Sequence, residues 1–305
     1  MENEPKKEKK KLNKKSVAFY SIVGAVTLAI GIAAGVLVGQ NVFKQKMDYS
    51  QFDTGEIDAD YSAKYEEFKT IDSSKYFTTF TPTELANIAL LKLGDVENFY
   101  STKNGKVLAA GVEQTITAAL VKNGDSYFEE NISASSFVKA ANRFYQKGGE
   151  VDWYKGKYIN QTKGDYPESS KTNYTLDGFE DTWGCTKDRG SIYIMSEQTV
   201  IDSSIKDNGD GTKTIQLELD PTLSVIRYVK QMKMTGGLSQ EPIFHSVHID
   251  LTVNEQLVLL ELFSDEVYDV HMVIDAKNSN GKIRQTFKYE QKEIPDINMD
   301  FNYES

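Results

Sequence analysis

The chain has 305 residues, of which 26% are charged, 39% hydrophobic and 11% aromatic, a composition that is typical of globular proteins and excludes wholesale disorder. Its one cysteine, Cys185, excludes an internal disulfide framework. The net charge is −10, and residues 44–305 carry 28 basic against 42 acidic side chains, so this part lacks the basic surface that nucleic-acid binding requires.

An uncharged segment near the N-terminus predicts a membrane anchor. Residues 16–43 contain no charged side chain and follow seven lysines within residues 1–15. About 20 apolar residues suffice to cross a bilayer core, and basic flanks remain in the cytoplasm. We therefore predict a cytoplasmic tail (1–15), a transmembrane anchor (16–43) and an extracytoplasmic remainder. A signal peptide cleaved near residues 33–35 is the alternative, but the apolar run continues beyond that point, which favours an uncleaved anchor.

Three glycines recur at helical spacing within the predicted anchor. Gly31, Gly35 and Gly39 are four residues apart and would share one helix face. Small residues at this spacing allow two transmembrane helices to approach closely, so homo-oligomerisation through this face is one interpretation. The other is that glycine is simply common in transmembrane helices.

A polar stretch and a well-marked helix come next. Residues 44–75 predict a stalk with a short helix at about 59–69, and residues 76–305 predict the extracytoplasmic domain. Thr81 and Glu84 form a capping box and Pro82 takes the first helical position, so a helix is predicted there and ends at Gly94. A second helix is predicted from Asp220 as N-cap to the glycine pair at 236–237.

Alternating apolar and polar residues between turn signals predict the strands. In chain order they are residues 107–121, 127–133, 137–147, 151–158, 191–195, 199–205 and 214–219, then a closing meander over 243–253, 257–263, 268–276 and 283–289 with a turn at 278–281. Residues 160–190 predict a long loop. The fold class is α+β, with a transmembrane helix followed by a large curved antiparallel sheet against two or three helices.

The residues that most often carry chemistry do not form a catalytic or metal-binding pattern. His245 lies in an apolar row and is interpreted as a core histidine, while His248 and His271 lie on polar faces and are interpreted as solvated. Cys185 has no histidine in its segment to act as a base. We therefore predict no catalytic residue, no metal and no cofactor.

One stretch carries more apolar faces than a half-exposed strand needs. Val258, Leu260 and Leu262 lie in a segment that is apolar on both faces, so one face is left for a ligand or a helix. Met232 and Met234 end the second predicted helix, and methionine fills irregular apolar space. These five residues are the candidate ligand-binding residues.

Over about Phe80 to Glu293 the predicted elements are a capped helix, hairpins, a proline-started helix and a closing meander. This order resembles the LolA/LppX-like superfamily of lipoprotein carriers. The resemblance implies an unclosed half-barrel wrapped around helices, with an apolar cavity for acyl chains. This chain departs from that family by carrying a transmembrane anchor, and a tethered protein cannot shuttle between membranes.

Two functional hypotheses remain open, with an unrecognised hydrolase as a third. The first is a non-enzymatic cell-envelope protein that holds a lipid or another apolar ligand under the sheet. The second is a single-pass interaction protein whose acidic ectodomain binds an envelope partner. A lined apolar cavity would favour the first and a filled core the second.

Overall fold

The fold is built on one antiparallel sheet, seen in a computed structural model that describes residues 47–136, 139–183, 192–236, 238, 240–271 and 275–295. Twelve strands and six helices form within these residues, which confirms the α+β class. The strands are β1 (Asn98–Ala109), β2 (Val112–Asn123), β3 (Ser126–Ala134), β4 (Lys139–Lys147), β5 (Glu150–Asn160), β6 (Lys163–Asp165), β7 (Lys171–Thr175), β8 (Val200–Asp207), β9 (Thr212–Leu219), β10 (Ile243–Asn254), β11 (Leu259–His271) and β12 (Asp275–Lys288). The helices are α1 (Thr54–Ile57), α2 (Ser62–Phe68), α3 (Tyr76–Thr79), α4 (Pro82–Asp95), α5 (Leu176–Trp183) and α6 (Ile226–Gly236).

The sheet joins two meanders through one long-range pairing. Its order is β6-β5-β4-β3-β2-β1-β12-β11-β10-β9-β8, with β7 paired to β5. Strands β1 and β12 pair from Tyr100–Lys288 to Leu108–Asn280, and this is the only place where the two meanders meet within the described sheet. Gly105 permits the close approach, because a Cβ there would lie 2.9 Å from the backbone oxygen of Lys282.

Helix α4 packs on the half of the sheet that contains β8, β9 and β11. The predicted capping box is present, with Thr81 accepting from the backbone N–H of Glu84 and the Glu84 carboxylate accepting from the backbone N–H of Thr81. Leu85 and Ile88 are fully buried against the core. The sheet supplies the other side of this core from the inward positions of β9, β10 and β11: Ile215, Leu217, Val247, Ile249, Leu251 and Leu259.

The second predicted helix is also present, although it begins later than expected. The Asp220 carboxylate accepts from the backbone N–H groups of Thr222 and Leu223 and so caps a turn, and α6 starts only at Ile226. Val229 and Met232 are buried on its inner side, as the spacing indicated.

The prediction of a separate stalk over residues 44–75 is wrong for the part that the structure describes. Tyr49, Ile57 and Phe68 are buried in the main core. The Tyr49 hydroxyl donates to the carbonyl of Pro242, and Arg227 on α6 forms an ion pair with Asp58. The domain therefore begins at or before residue 49, and the helix predicted at 59–69 is α2, packed on α4.

Several strand boundaries differ from the prediction because turns occur without the usual residue signals. The predicted strand 107–121 is the end of β1 and most of β2, separated by a tight turn at Ala110 and Gly111, both with positive φ. The predicted loop 160–190 contains β6, β7 and α5. The predicted strand 191–195 is irregular over the described residues 192–195. Residues 278–281, predicted as a turn, lie inside β12.

The anchor prediction falls outside the described residues, as do Gly31, Gly35, Gly39 and Cys185. Within the part of the chain that the structure does describe, no helix is long and apolar enough to cross a membrane.

Candidate ligand site on the inner face of the sheet

The inner face is the side of the sheet that carries the main core, and it changes character from one half to the other. From β8 to β11 its residues are mostly apolar. On the next strands, one row of directly paired residues crosses the face and is polar at most positions. This polar row consists of Gln285 on β12, Lys103 on β1, Ala118 on β2, Asn131 on β3 and Asn142 on β4.

All members of the polar row are buried. The exposed fractions are 3% for Lys103, 1% for Gln285, 2% for Asn131 and 6% for Asn142. Buried polar groups are normally hydrogen-bonded, and lysine is almost never fully buried unless it is paired. A row of this kind on the inner face is therefore a feature that packing alone does not explain.

Lys103 is the most unusual member of the row. Its Nζ has no hydrogen-bond partner among the residues that the structure describes. Burial lowers the pKa of this ammonium, and the nearby Glu129 carboxyl opposes that shift without forming an ion pair with it. Ala118 lies beside Lys103 on the neighbouring strand and is the smallest side chain of the row.

Two carbonyl oxygens on either side of Lys103 also lack partners. The amide nitrogen of Gln285 donates to Ser101 Oγ at 2.7 Å, and that of Asn131 donates to Glu129 Oε1 at 2.8 Å. Both amides are thereby oriented, whereas Gln285 Oε1 and Asn131 Oδ1 accept no hydrogen bond from the described part of the chain. One cation and two acceptors thus share the row without bonding one another.

Glu129 is the acid of this region. It lies one step from the polar row on β3 and accepts from the Tyr127 hydroxyl at 3.1 Å as well as from Asn131. Burial raises its pKa to about 7, partly offset by Lys103 and by these two hydrogen bonds.

A second buried acid lies further along the inner face, on β11. Glu266 accepts a hydrogen bond from the Tyr193 hydroxyl, and burial raises the pKa of this carboxyl to about 8. Tyr193 in turn contacts the Tyr228 ring of α6 edge-on, with centroids 5.6 Å apart. The nearby Tyr268 hydroxyl is buried without a partner.

The five candidate ligand-binding residues do not form one lining. Leu262 is buried on the inner face and pairs with Gln285, so it extends the polar row toward the apolar half. Leu260 is the extra residue of a β-bulge and is only half-buried. Val258 is half-buried beside the turn into β11, and Met232 is buried in the main core. The side chain of Met234 lies outside the described residues.

The bulge explains why this segment looked apolar on both faces. Thr252 pairs with Glu261 but Val253 pairs with Leu259, so the alternation changes phase at Leu260. Leu259 and Leu262 consequently both point inward. The surplus apolar face inferred from the sequence is a change of phase in one strand.

A similar bulge overturns the assignment of His245 to the core. The register shifts between Phe244 and Ser246, which turns His245 outward, 3.1 Å from Asp269. His248 lies between Asp250 and Glu218 at 2.9 Å and 2.6 Å, on the outer face as predicted. Within the described residues no group of three or more His, Cys, Asp or Glu side chains is arranged to hold a metal.

Sequence reasoning missed Lys103, Asn131 and Gln285. The inward residues of β1 are Phe99, Ser101, Lys103, Gly105 and Val107, so polar and small side chains interrupt the apolar row and hide the period-two pattern. The signal that remains is weak: Ser101 and Lys103 follow Phe99 at the two-residue spacing of one strand face.

Comparison with known proteins adds no functional argument. Neither a family model nor a curated protein matches the chain. Among solved structures, a DUF1329 family protein from Desulfovibrio piger aligns at 10% identity and TM-score 0.23, covering 69% of this chain and 92% of that one. A porin-like protein from Bacteroides uniformis aligns at 7% identity and TM-score 0.20, covering 62% and 96%. Scores this low establish no relationship, and the LolA/LppX-like resemblance stays a prediction with which the sheet is compatible.

Replacing Lys103 by methionine is expected to stabilise the fold. An unpaired buried polar group costs about 1–3 kcal/mol, and an apolar side chain of similar length removes that cost, so Lys103→Met should raise the free energy of unfolding by about this amount. Urea denaturation followed by circular dichroism measures it. Lys106→Met, on the exposed side of the same strand, is the matched control and should change stability by less than about 0.5 kcal/mol. A loss of stability in Lys103→Met would contradict an unpaired ammonium.

We expect the stability of the domain to depend on pH through the buried acid Glu266. Its pKa is raised from 4.5 to about 8, so the folded state holds this proton more tightly than the unfolded chain. Its contribution to stability is therefore full below pH 4.5 and is lost as the pH rises toward 8. Glu266→Gln keeps an acceptor for Tyr193 but cannot titrate. The free energy of unfolding of Glu266→Gln should equal that of the wild type near pH 4.5 and exceed it by roughly 2–5 kcal/mol at pH 8.5.

Urea denaturation at a series of pH values tests this expectation. Glu129 remains in both proteins, so its own titration cancels in the comparison. Glu255→Gln, an exposed carboxyl in the turn between β10 and β11, should leave the pH profile unchanged. Parallel profiles for wild type and Glu266→Gln would show that Glu266 does not carry the linkage.

Proposed function

We propose that the protein is a non-enzymatic, single-pass cell-envelope protein whose extracytoplasmic domain holds an apolar or amphiphilic ligand against the inner face of its sheet. The observation that carries the proposal is the polar row, and above all the buried Lys103 ammonium without a partner. Each such group costs about 1–3 kcal/mol, whereas native domains are stable by only about 5–15 kcal/mol. A ligand that supplies the missing partners accounts for the retention of these groups.

Binding is proposed rather than catalysis because of how the groups are held. Lys103 is the one nucleophile of the polar row, and it has no base in hydrogen-bond contact. The two amides are fixed through their nitrogens and expose only acceptors. Such an arrangement recognises a ligand but offers no route for proton transfer during a reaction.

The neighbourhood of the row suits a ligand with an apolar part. Leu262 continues the row on β11, where the apolar half of the inner face begins. A ligand spanning this boundary would place a polar end on the row and an apolar end toward Leu262. Burying an acyl chain is favourable by about 0.8 kcal/mol per methylene, enough to retain such a ligand through purification.

The membrane tether and orientation belong to the same proposal and rest on residues 1–43. A cysteine-accessibility experiment in intact cells tests them. In a Cys185→Ser background, Asp125→Cys in the exposed turn between β2 and β3 should react with a membrane-impermeant maleimide. Lys7→Cys should react only after permeabilisation, because a basic flank stays in the cytoplasm. The reverse pattern would invert the orientation, and loss of residue 7 from the membrane-bound protein would show cleavage.

Ligand binding is tested on the full-length chain purified in a non-ionic detergent. Native mass spectrometry and lipid extraction should find a bound amphiphile in the wild type. Ala118→Leu adds volume beside Lys103 and should lower the occupancy. Glu113→Leu, exposed on the same strand, is the matched control and should not. Thermal melting confirms that both variants are folded.

An empty protein would favour the alternative function. If nothing is bound, and added fatty acid does not raise the melting temperature, the ligand hypothesis is wrong. A partner-binding role then has one specific observation in its favour. Strand β8 is an end of the sheet and exposes Ile201 at 67%, and an edge strand can pair with a strand of another protein.

A further inference from the structure

We infer that the polar row recognises an anionic head group that also carries hydroxyl donors, as a phosphodiester joined to a polyol does. In this arrangement the phosphate contacts Lys103 and the hydroxyls donate to Gln285 and Asn131. The inference rests on the proposed function and specifies the chemistry of its ligand. Three features of the row carry it: one unpaired cation, two unpaired acceptors, and their order across the strands.

The cation sets the charge of the ligand. Burial lowers the pKa of Lys103, so the charged form of this side chain is favoured only when a negative group pairs with it. Glu129 is the acid nearest to Lys103 on the inner face, and its oxygens are already engaged by Tyr127 and Asn131. Lys122, the other buried lysine of this face, is bound to the carbonyls of Gly94 and Val96. The unmet requirement is therefore a negative charge at Lys103.

The acceptors set the second requirement, which is for hydrogen-bond donors. Gln285 Oε1 and Asn131 Oδ1 can accept but not donate, and an anion alone brings only further acceptors. A phosphate without hydroxyls would satisfy Lys103 and leave both amide oxygens unpaired. A ligand with hydroxyl groups next to its negative charge satisfies all three.

The order of the groups matches a compact head group. Gln285 lies one strand from Lys103, and Asn131 lies two strands away on the other side, with Ala118 between. Neighbouring strands are about 4.8 Å apart, so the acceptors flank the cation within about 10 Å of backbone. Ala118, which lies between Lys103 and Asn131, is the smallest side chain of the row.

Three short-chain lipids distinguish the requirement for a negative charge from the requirement for hydroxyl donors. Their binding is measured on the full-length chain in a non-ionic detergent. Dihexanoyl phosphatidylglycerol carries the charge and the hydroxyls, and dihexanoyl phosphatidylmethanol carries the charge alone. Dihexanoyl phosphatidylcholine is zwitterionic and has no hydroxyl donor in its head group. Titration calorimetry should rank the affinities in that order. Free glycerol phosphate is the fourth ligand, and binding as tight as that of the lipid would support the head-group site while identifying a soluble source.

Two variants assign the contacts. Lys103→Met should lower the affinity for phosphatidylglycerol and for phosphatidylmethanol by roughly 10- to 100-fold each, because a charge-assisted contact is lost. Lys106→Met should change neither. Gln285→Met should lower the affinity for phosphatidylglycerol by roughly 2- to 10-fold, to that for phosphatidylmethanol. The affinity for phosphatidylmethanol itself should not change.

Failure of the inference and failure of the proposed function give different results. Equal affinity for all three lipids, or identical behaviour of Lys103→Met and Lys106→Met, would overturn the head-group assignment while leaving a ligand-binding domain. If none of the four ligands binds and the purified chain carries no amphiphile, both are overturned.

Discussion

The pairing of β1 with β12 is the constraint on which the rest of this molecule depends. It joins two meanders that are far apart in sequence and fixes the register in which Lys103 faces Gln285. Because side chains alternate along a strand, a shift of one residue would turn Lys103 to the outer face. Gly105 holds that register, since a larger residue there would collide with the backbone at Lys282. The inner face therefore exists in its present form only with this pairing.

The two halves of the inner face contribute differently to the stability of the domain. The half under α4 is apolar and closely covered, and it contributes the burial that stabilises the domain. The half around the polar row costs stability, because several of its polar atoms lack protein partners. Residues that break the rules of packing without an evident gain are expected mainly at functional sites. The two halves share one face of the sheet but have opposite effects on stability. The burial of apolar side chains in the first half offsets the cost of the unpaired polar atoms in the second.

The sequence predicts the elements with strong local signals and misses those set by long-range contacts. The α4 cap and the strict alternation in β9 are found because Thr81, Glu84 and Leu217 follow local rules. Bulges at Leu260 and near His245 change the phase of a strand, and no local residue type announces them. The polar row could not be predicted because its members come from five strands whose register only the assembled sheet defines. The stalk was misread because Tyr49 is buried by a distant part of the chain.

The position of residue 49 limits where a ligand could come from. If the predicted anchor ends at Phe43, only five residues, 44–48, lie between it and Tyr49, whose side chain is buried in the domain core. A fully extended chain of that length spans about 20 Å, so the domain would stay at the surface of the membrane that carries it. An amphiphile reaching the polar row must then leave that same membrane or arrive on another protein. Under the proposed function, a tether this short suits a protein that extracts or senses a head group in its own membrane, and it does not suit transport of the ligand to a distant membrane.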